Sequence, residues 1–138
     1  MNKSQFEKLV SIRISEGEKL LAQELYEGAY YLTGYAVECA LKAVIAKETK
    51  EHDFPDKAFA ARCFTHDLTD LMGVAGLKQK LKEQEAADPD FELNWAVVKD
   101  WSEQYRYEPT IEKTKATDLY AAITNETSGI LKWIKAYW

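Results

Sequence analysis

Residues 27–47, read at 3.6 residues per turn, put apolar side chains around more than half of a helix. Ala29, Leu32, Thr33, Ala36, Ala40, Ala43 and Val44 share one side, and Tyr30, Val37, Leu41 and Ile45 widen the arc. An arc this wide predicts a central helix contacted by several others, and its alanines allow those neighbours to approach closely. What remains is a narrow stripe of Tyr31, Tyr35, Glu38 and Lys42. One reading is a solvated face with two snorkelling tyrosines. Another is a partner-binding face, with a homodimer seam among the options, and a third is a ligand site. Gly34 lies inside the same helix, where glycine costs about 1 kcal/mol relative to alanine. Its place beside the stripe predicts a close approach by another helix or chain.

The rest of the chain is organised around such a helix. Only 6 Gly and 3 Pro occur in 138 residues, too few for a turn-dense β-sandwich or a flexible linker. Pro55, Pro89 and Pro109 fall between helical stretches. A first helix is predicted over residues 4–24, with Ser4 and Glu7 at capping-box spacing and Gly17 as a weak point. Residues 48–66, with His52 and Pro55, read as a loop carrying a short turn near 57–62. Thr65 or Asp67 caps a short helix over 68–72 that ends at Gly73. A charged helix follows over 77–87, and Asp88-Pro89 starts another that continues to Glu103 or Tyr105. Phe91, Trp95, Val98, Trp101 and Tyr105 fall along one side of it. A last helix is predicted over 113–137, interrupted by the polar patch 124–128. No stretch alternates as a strand would, so the expected class is all-α, without a sheet, in one domain over 1–138.

The net charge of -5 gives nucleic acid no attraction from the overall field, which disfavours direct nucleic-acid binding. The N-terminal residues lack the apolar core of a signal peptide, and no long apolar run predicts a membrane span. Cys39 and Cys63 match no zinc spacing or disulfide framework, so both are expected as free thiols in a cytoplasmic protein. No phosphate-binding glycine loop, HExxH motif or clustered Cys/His set is present, and no metal or cofactor is expected.

Three blocks carry a family resemblance. Residues 29–46, AYYLTGYAVECALKAVIA, resemble the signature helix of the HEPN domain family. His66-Asp67-Leu68-x-x-Leu71 resembles its His-x-Leu lead-in to a short helix. Asn94-Trp95-x-x-Val98-x-x-Trp101-Ser102-Glu103-x-x-Arg106-Tyr107 resembles its later helix. The resemblance implies an up-and-down bundle of about five helices, with a four-helix core plus short helices, and a homodimer. It also implies one of two roles. Some members are metal-independent endoribonucleases that use an Arg-x(4–6)-His motif. Others are non-catalytic partners of a minimal nucleotidyltransferase, in a toxin–antitoxin-like pair, or bind a nucleotide.

The ribonuclease motif does not transfer, which makes an enzyme the less favoured alternative. No histidine follows Arg106, and Arg62 precedes His66 by one residue too few. If the chain cleaved RNA, His66 with Arg62 or Arg106 would have to serve as proton acceptor and charge stabiliser. The favoured expectation is the non-catalytic role, and a plain helical dimerisation module is the other alternative. Ligand-binding candidates are Arg106, Glu38, His66, Asn94, Ser102, Glu103, Trp101 and Tyr107. They form either a structural network, with Arg106 paired to Glu38 or Glu103, or a cleft. In such a cleft Arg106 would hold a nucleotide phosphate while Trp101, Tyr105 or Tyr107 stacks a base. Dimer-interface candidates are Tyr31, Gly34, Tyr35, Glu38 and Lys42.

Overall fold

A computed structural model describes residues 1–49 and 57–138, so the loop residues His52 and Pro55 lie outside the described residues. Among the described residues every regular element is helical. Helix α1 spans Lys3–Ala22. Its cap is Asn2, whose side chain accepts from the Gln5 amide at 2.9 Å while the Gln5 side chain accepts from the Asn2 amide at 2.8 Å. The Ser4–Glu7 expectation is therefore corrected: the cap lies two residues earlier, at Asn2, and Ser4 is already inside the helix. Gly17 does not interrupt it.

Helix α2, Tyr26–Glu48, follows after a tight turn and packs most extensively on α1. It also meets the helices Leu68–Val74, Lys113–Thr124 and Ile130–Lys135 and the segment 103–107. This is the outcome its wide apolar arc predicts. Val37, Ala40, Leu41 and Ala43 have no exposed surface. Each fully buried leucine or valine of this kind contributes about 1.5–3 kcal/mol relative to an exposed one.

Helix α3 (Lys57–Cys63) and helix α4 (Leu68–Val74) are short. Asp67, not Thr65, caps α4, accepting from the Asp70 amide at 2.8 Å. Gly73 does not end α4 as expected; the helix runs to Val74 and the chain turns at Gly76, where φ is 73°. Helix α5 is Lys78–Ala87 and helix α6 is Pro89–Lys99. Asp88 caps α6 with Pro89 in its first turn.

Two predicted long helices are each divided. The helix expected to reach Glu103 or Tyr105 stops at Lys99, and a separate 3-10 segment, Glu103–Tyr107, follows. The Ser102 hydroxyl captures the Gln104 amide at 3.3 Å, which starts the tighter segment locally. The helix expected over 113–137 consists of α7 (Lys113–Thr124) and α8 (Ile130–Lys135). Between them Asn125 Oδ1 accepts from the amides of Thr127 (2.9 Å) and Ser128 (2.7 Å), and this side-chain turn outcompetes the helix.

One apolar cluster joins these pieces, taking Val10 from α1, most of the buried face of α2, and side chains from α4 through α8. Among the described residues no helix is long and apolar enough to cross a membrane.

Candidate functional site

The polar stripe of α2 is not a solvated face along its whole length. Glu38, expected there, is only 1% exposed. Removing a carboxylate from water is costly unless partners replace the water. Two do. Lys42, one turn further along α2, places Nζ 3.1 Å from Glu38 Oε2. His66, just before α4, places Nδ1 3.0 Å from both Glu38 oxygens.

His66 does not end the chain of contacts. Its Nε2 lies 3.2 Å from Glu103 Oε2, at the start of the 3-10 segment. The imidazole thus stands between two carboxylates from different elements. A neutral ring can donate to one of them, whereas an imidazolium donates to both. The ring keeps 42% of its side chain exposed, so one side of this Lys42–Glu38–His66–Glu103 network faces solvent.

An aromatic wall adjoins it. Tyr31 stacks on Tyr35 with ring centres 6.1 Å apart, and on Trp101 at 6.0 Å. The Trp101 indole is buried, and its Cδ1, Nε1 and Cε2 atoms occupy the space a Cβ at residue 34 would need. Gly34 therefore makes room for Trp101 of the same chain, which supplies the close approach its position predicts. Among the described residues the Nε1–H of Trp101 has no hydrogen-bond partner, a cost of about 1–3 kcal/mol that the packing must offset. On the other flank Arg13 lies 5.9 Å from the Tyr35 ring and pairs with Glu16.

The 3-10 segment is anchored at a further point. Tyr105 meets the buried Tyr30 edge-on at 4.7 Å, and Lys115 Nζ donates to the Tyr105 hydroxyl at 2.9 Å. Burial, reinforced by Tyr105, holds the Tyr30 phenol well above the ordinary tyrosine range. Burial, then the negative charge of Glu38, pushes the Cys39 thiol up to about 11. Burial likewise raises the Tyr35 phenol, with smaller contributions from Cys39 and Glu38.

The structure thus brings together Glu38, His66, Glu103 and Trp101 from the predicted set, and it separates the others. Arg106 is not paired with Glu38 or Glu103 among the described residues. Its guanidinium lies 4.7 Å from the Tyr107 ring, on the surface, and contact with Tyr107 raises its pKa. Arg62 lies over Phe59 at 5.8 Å. Asn94 Nδ2 donates to the Ser128 carbonyl at 2.9 Å, tying α6 to the turn before α8. Ser102 caps the 3-10 segment. Lys42 was expected in the stripe, as a solvated, interface or ligand-site residue; its place four residues after Glu38 is the sequence signal for the ion pair. The Ser128 hydroxyl donates to Asp88 at 2.8 Å, a bond that no motif announces.

Chemically, the histidine of the network has a carboxylate at each nitrogen, and among the described residues no arginine forms an ion pair with the network. Among the described residues no three His, Cys, Asp or Glu side chains converge to hold a metal ion. Comparison with protein-family models, with curated proteins and with solved structures finds no match to the chain.

Proposed function

We propose that this chain is a non-catalytic protein of HEPN type. In this reading it forms a cytoplasmic homodimer and binds a minimal nucleotidyltransferase, a nucleotide, or both, as one half of a toxin–antitoxin-like pair. One observation carries the non-catalytic part: both nitrogens of His66 meet carboxylates, while Arg62 and Arg106 lie over the rings of Phe59 and Tyr107 and, among the described residues, form no ion pair. Cleavage of RNA without a metal needs a proton acceptor free to meet the 2′-hydroxyl and a cation at the phosphorane. A histidine held between two carboxylates has both nitrogens engaged, and the cation of the network, Lys42, is already paired with Glu38. The remaining histidine, His52, lies outside the described residues.

The binding part rests on the sequence blocks around residues 29–46, 66–71 and 94–107, and on the exposed groups that flank the network. Arg106 is exposed and, among the described residues, in no ion pair, and Tyr31 and Tyr35 are half-buried and stacked on each other. Tyrosine and arginine in this arrangement suit a protein interface or a stacked base with its phosphate. The up-and-down arrangement proposed for α1, α2, α6 and α7 is supported by the packing of α2 on α1 and α7, and of α7 on α6.

The test combines three measurements on the purified chain. Sedimentation is expected to give a dimer that Tyr35→Glu dissociates without loss of helicity. Co-expression with a minimal nucleotidyltransferase is expected to yield a stable complex, or nucleotide titration to shift the resonances of Arg106 and Tyr107. Incubation with folded RNA under chelator is expected to leave the RNA intact. Cleavage that disappears in His66→Ala would replace this reading with the ribonuclease. A dimer that binds neither nucleotide nor nucleotidyltransferase would reduce it to a plain dimerisation module.

A further inference from the structure

Away from the Glu38 network, α3, α4 and α5 enclose an open groove of about 600 Å³. This lies within the range of about 300–1,000 Å³ usual for small-molecule sites. Phe59, Met72 and Leu81 provide apolar walls, and Arg62, Lys78 and Asp70 supply the charges. Among the described residues none of these three charged groups is in an ion pair. Among its described lining residues two cations stand against one carboxylate, a net positive charge of one, in a chain whose net charge is -5.

A second, independent observation comes from Gly73, which also lines the groove. It lies inside α4 with ordinary backbone geometry, and a Cβ there would meet no atom within 4 Å. Neither steric crowding nor a left-handed conformation calls for glycine, while alanine would favour the helix. The missing side chain leaves bare backbone at the groove wall.

We propose that this groove binds a small amphipathic carboxylate. Its apolar body lies on Phe59, Met72 and Leu81, and its carboxylate lies between Arg62 and Lys78. The single excess positive charge matches a monoanion better than a dianionic phosphate. The planar guanidinium of Arg62 suits a carboxylate's two oxygens. This proposal is independent of the HEPN reading, because it uses no residue of the Glu38 network.

Octanoate is the probe, titrated into the full-length protein by NMR, with 1-octanol and inorganic phosphate as controls. Octanoate is expected to shift resonances of Phe59, Arg62 and Gly73, and to bind at least about tenfold more tightly than either control. Arg62→Gln and Lys78→Gln should each weaken it several-fold. Gly73→Ala should raise the thermal midpoint while weakening octanoate, a pairing that simple misfolding cannot produce. Equal binding of octanol would leave only a greasy surface, and equal binding of phosphate only a charged one. Either result overturns the proposal, as does unchanged octanoate affinity in Gly73→Ala or shifts confined to another face.

Discussion

The indole of Trp101 occupies the space beside Gly34 that any larger residue would claim. The contact joins the middle of α2 to the stretch between α6 and the 3-10 segment. Trp101 is 2% exposed, so the indole has nowhere to retreat without opening the core.

Gly34→Ala is therefore expected to destabilise the protein by about 1–3 kcal/mol, as overpacked cores do. The direction is informative, because alanine is the better helix former by about 1 kcal/mol. Urea denaturation followed by circular dichroism reads the loss, and tryptophan fluorescence reads the displaced ring. A stabilised variant would show that Trp101 does not need the notch.

Glu38 and Glu103 flank the same histidine but differ in burial. Glu38→Gln removes the anion paired with Lys42 among the described residues and leaves that ammonium, 14% exposed, largely uncompensated. The expected cost is about 2–3 kcal/mol, somewhat below that for breaking a fully buried pair because His66 can turn to solvent. The Glu103 side chain is 27% exposed, and Glu103→Gln should cost less than about 1 kcal/mol. Paired denaturation curves test the ranking, and equal losses would contradict it.

Cys39 and Cys63 should separate by reactivity. Burial first, then Glu38, pushes the Cys39 thiol up to about 11, while Cys63 is only partly buried. The expectation with a thiol-reactive disulfide reagent at neutral pH is one fast thiol in the native protein and two in denaturant. The same shift sets a pH dependence. Cys39 ionises at higher pH folded than unfolded, so its contribution to stability is complete below the unfolded thiol pKa. That contribution is lost as pH rises towards 11. Cys39→Ala should flatten this alkaline limb.

Asp88 governs the acid side. The hydroxyl of Ser128 and then the amides of Phe91 and Asp90 hold its carboxyl below the ordinary aspartate range. A group depressed in the folded state stabilises above its unfolded pKa. The contribution fades as pH falls through the carboxylate range to the folded value. Asp88→Asn should make the acid limb of the stability profile shallower. Ser128→Ala should do so in part, because the amide contacts that cap α6 remain. A wild-type acid limb in both variants would remove Asp88 from the account.

Helix α2 was legible in the sequence because a wide apolar arc at helical spacing admits few other structures. The burial of Glu38 was not. Its i, i+4 relation to Lys42 could be seen, but the His66 contact spans 28 residues. That contact depends on how α4 docks rather than on any local pattern. The end of α6 was hidden for the opposite reason. Phe91, Trp95 and Val98 set a helical rhythm that Trp101 and Tyr105 continue, although both reach the core from outside the helix. Only the Ser102 hydroxyl hinted at the break. The polar patch at 124–128 signalled an interruption, and Asn125 converts it into a turn that ends α7.

The reach of Trp101 back to Gly34 also has a consequence for synthesis. Helix α2 leaves the ribosome with its apolar circumference largely bare, and α4, Trp101, α7 and α8, which cover it, come later in the chain. At about 5–20 residues per second, that interval lasts seconds. During it α1 alone shields the hairpin, and the uncovered side of α2 is a target for chaperones or for another nascent copy. The wide arc that makes α2 the centre of the finished molecule makes it the vulnerable part of the unfinished one.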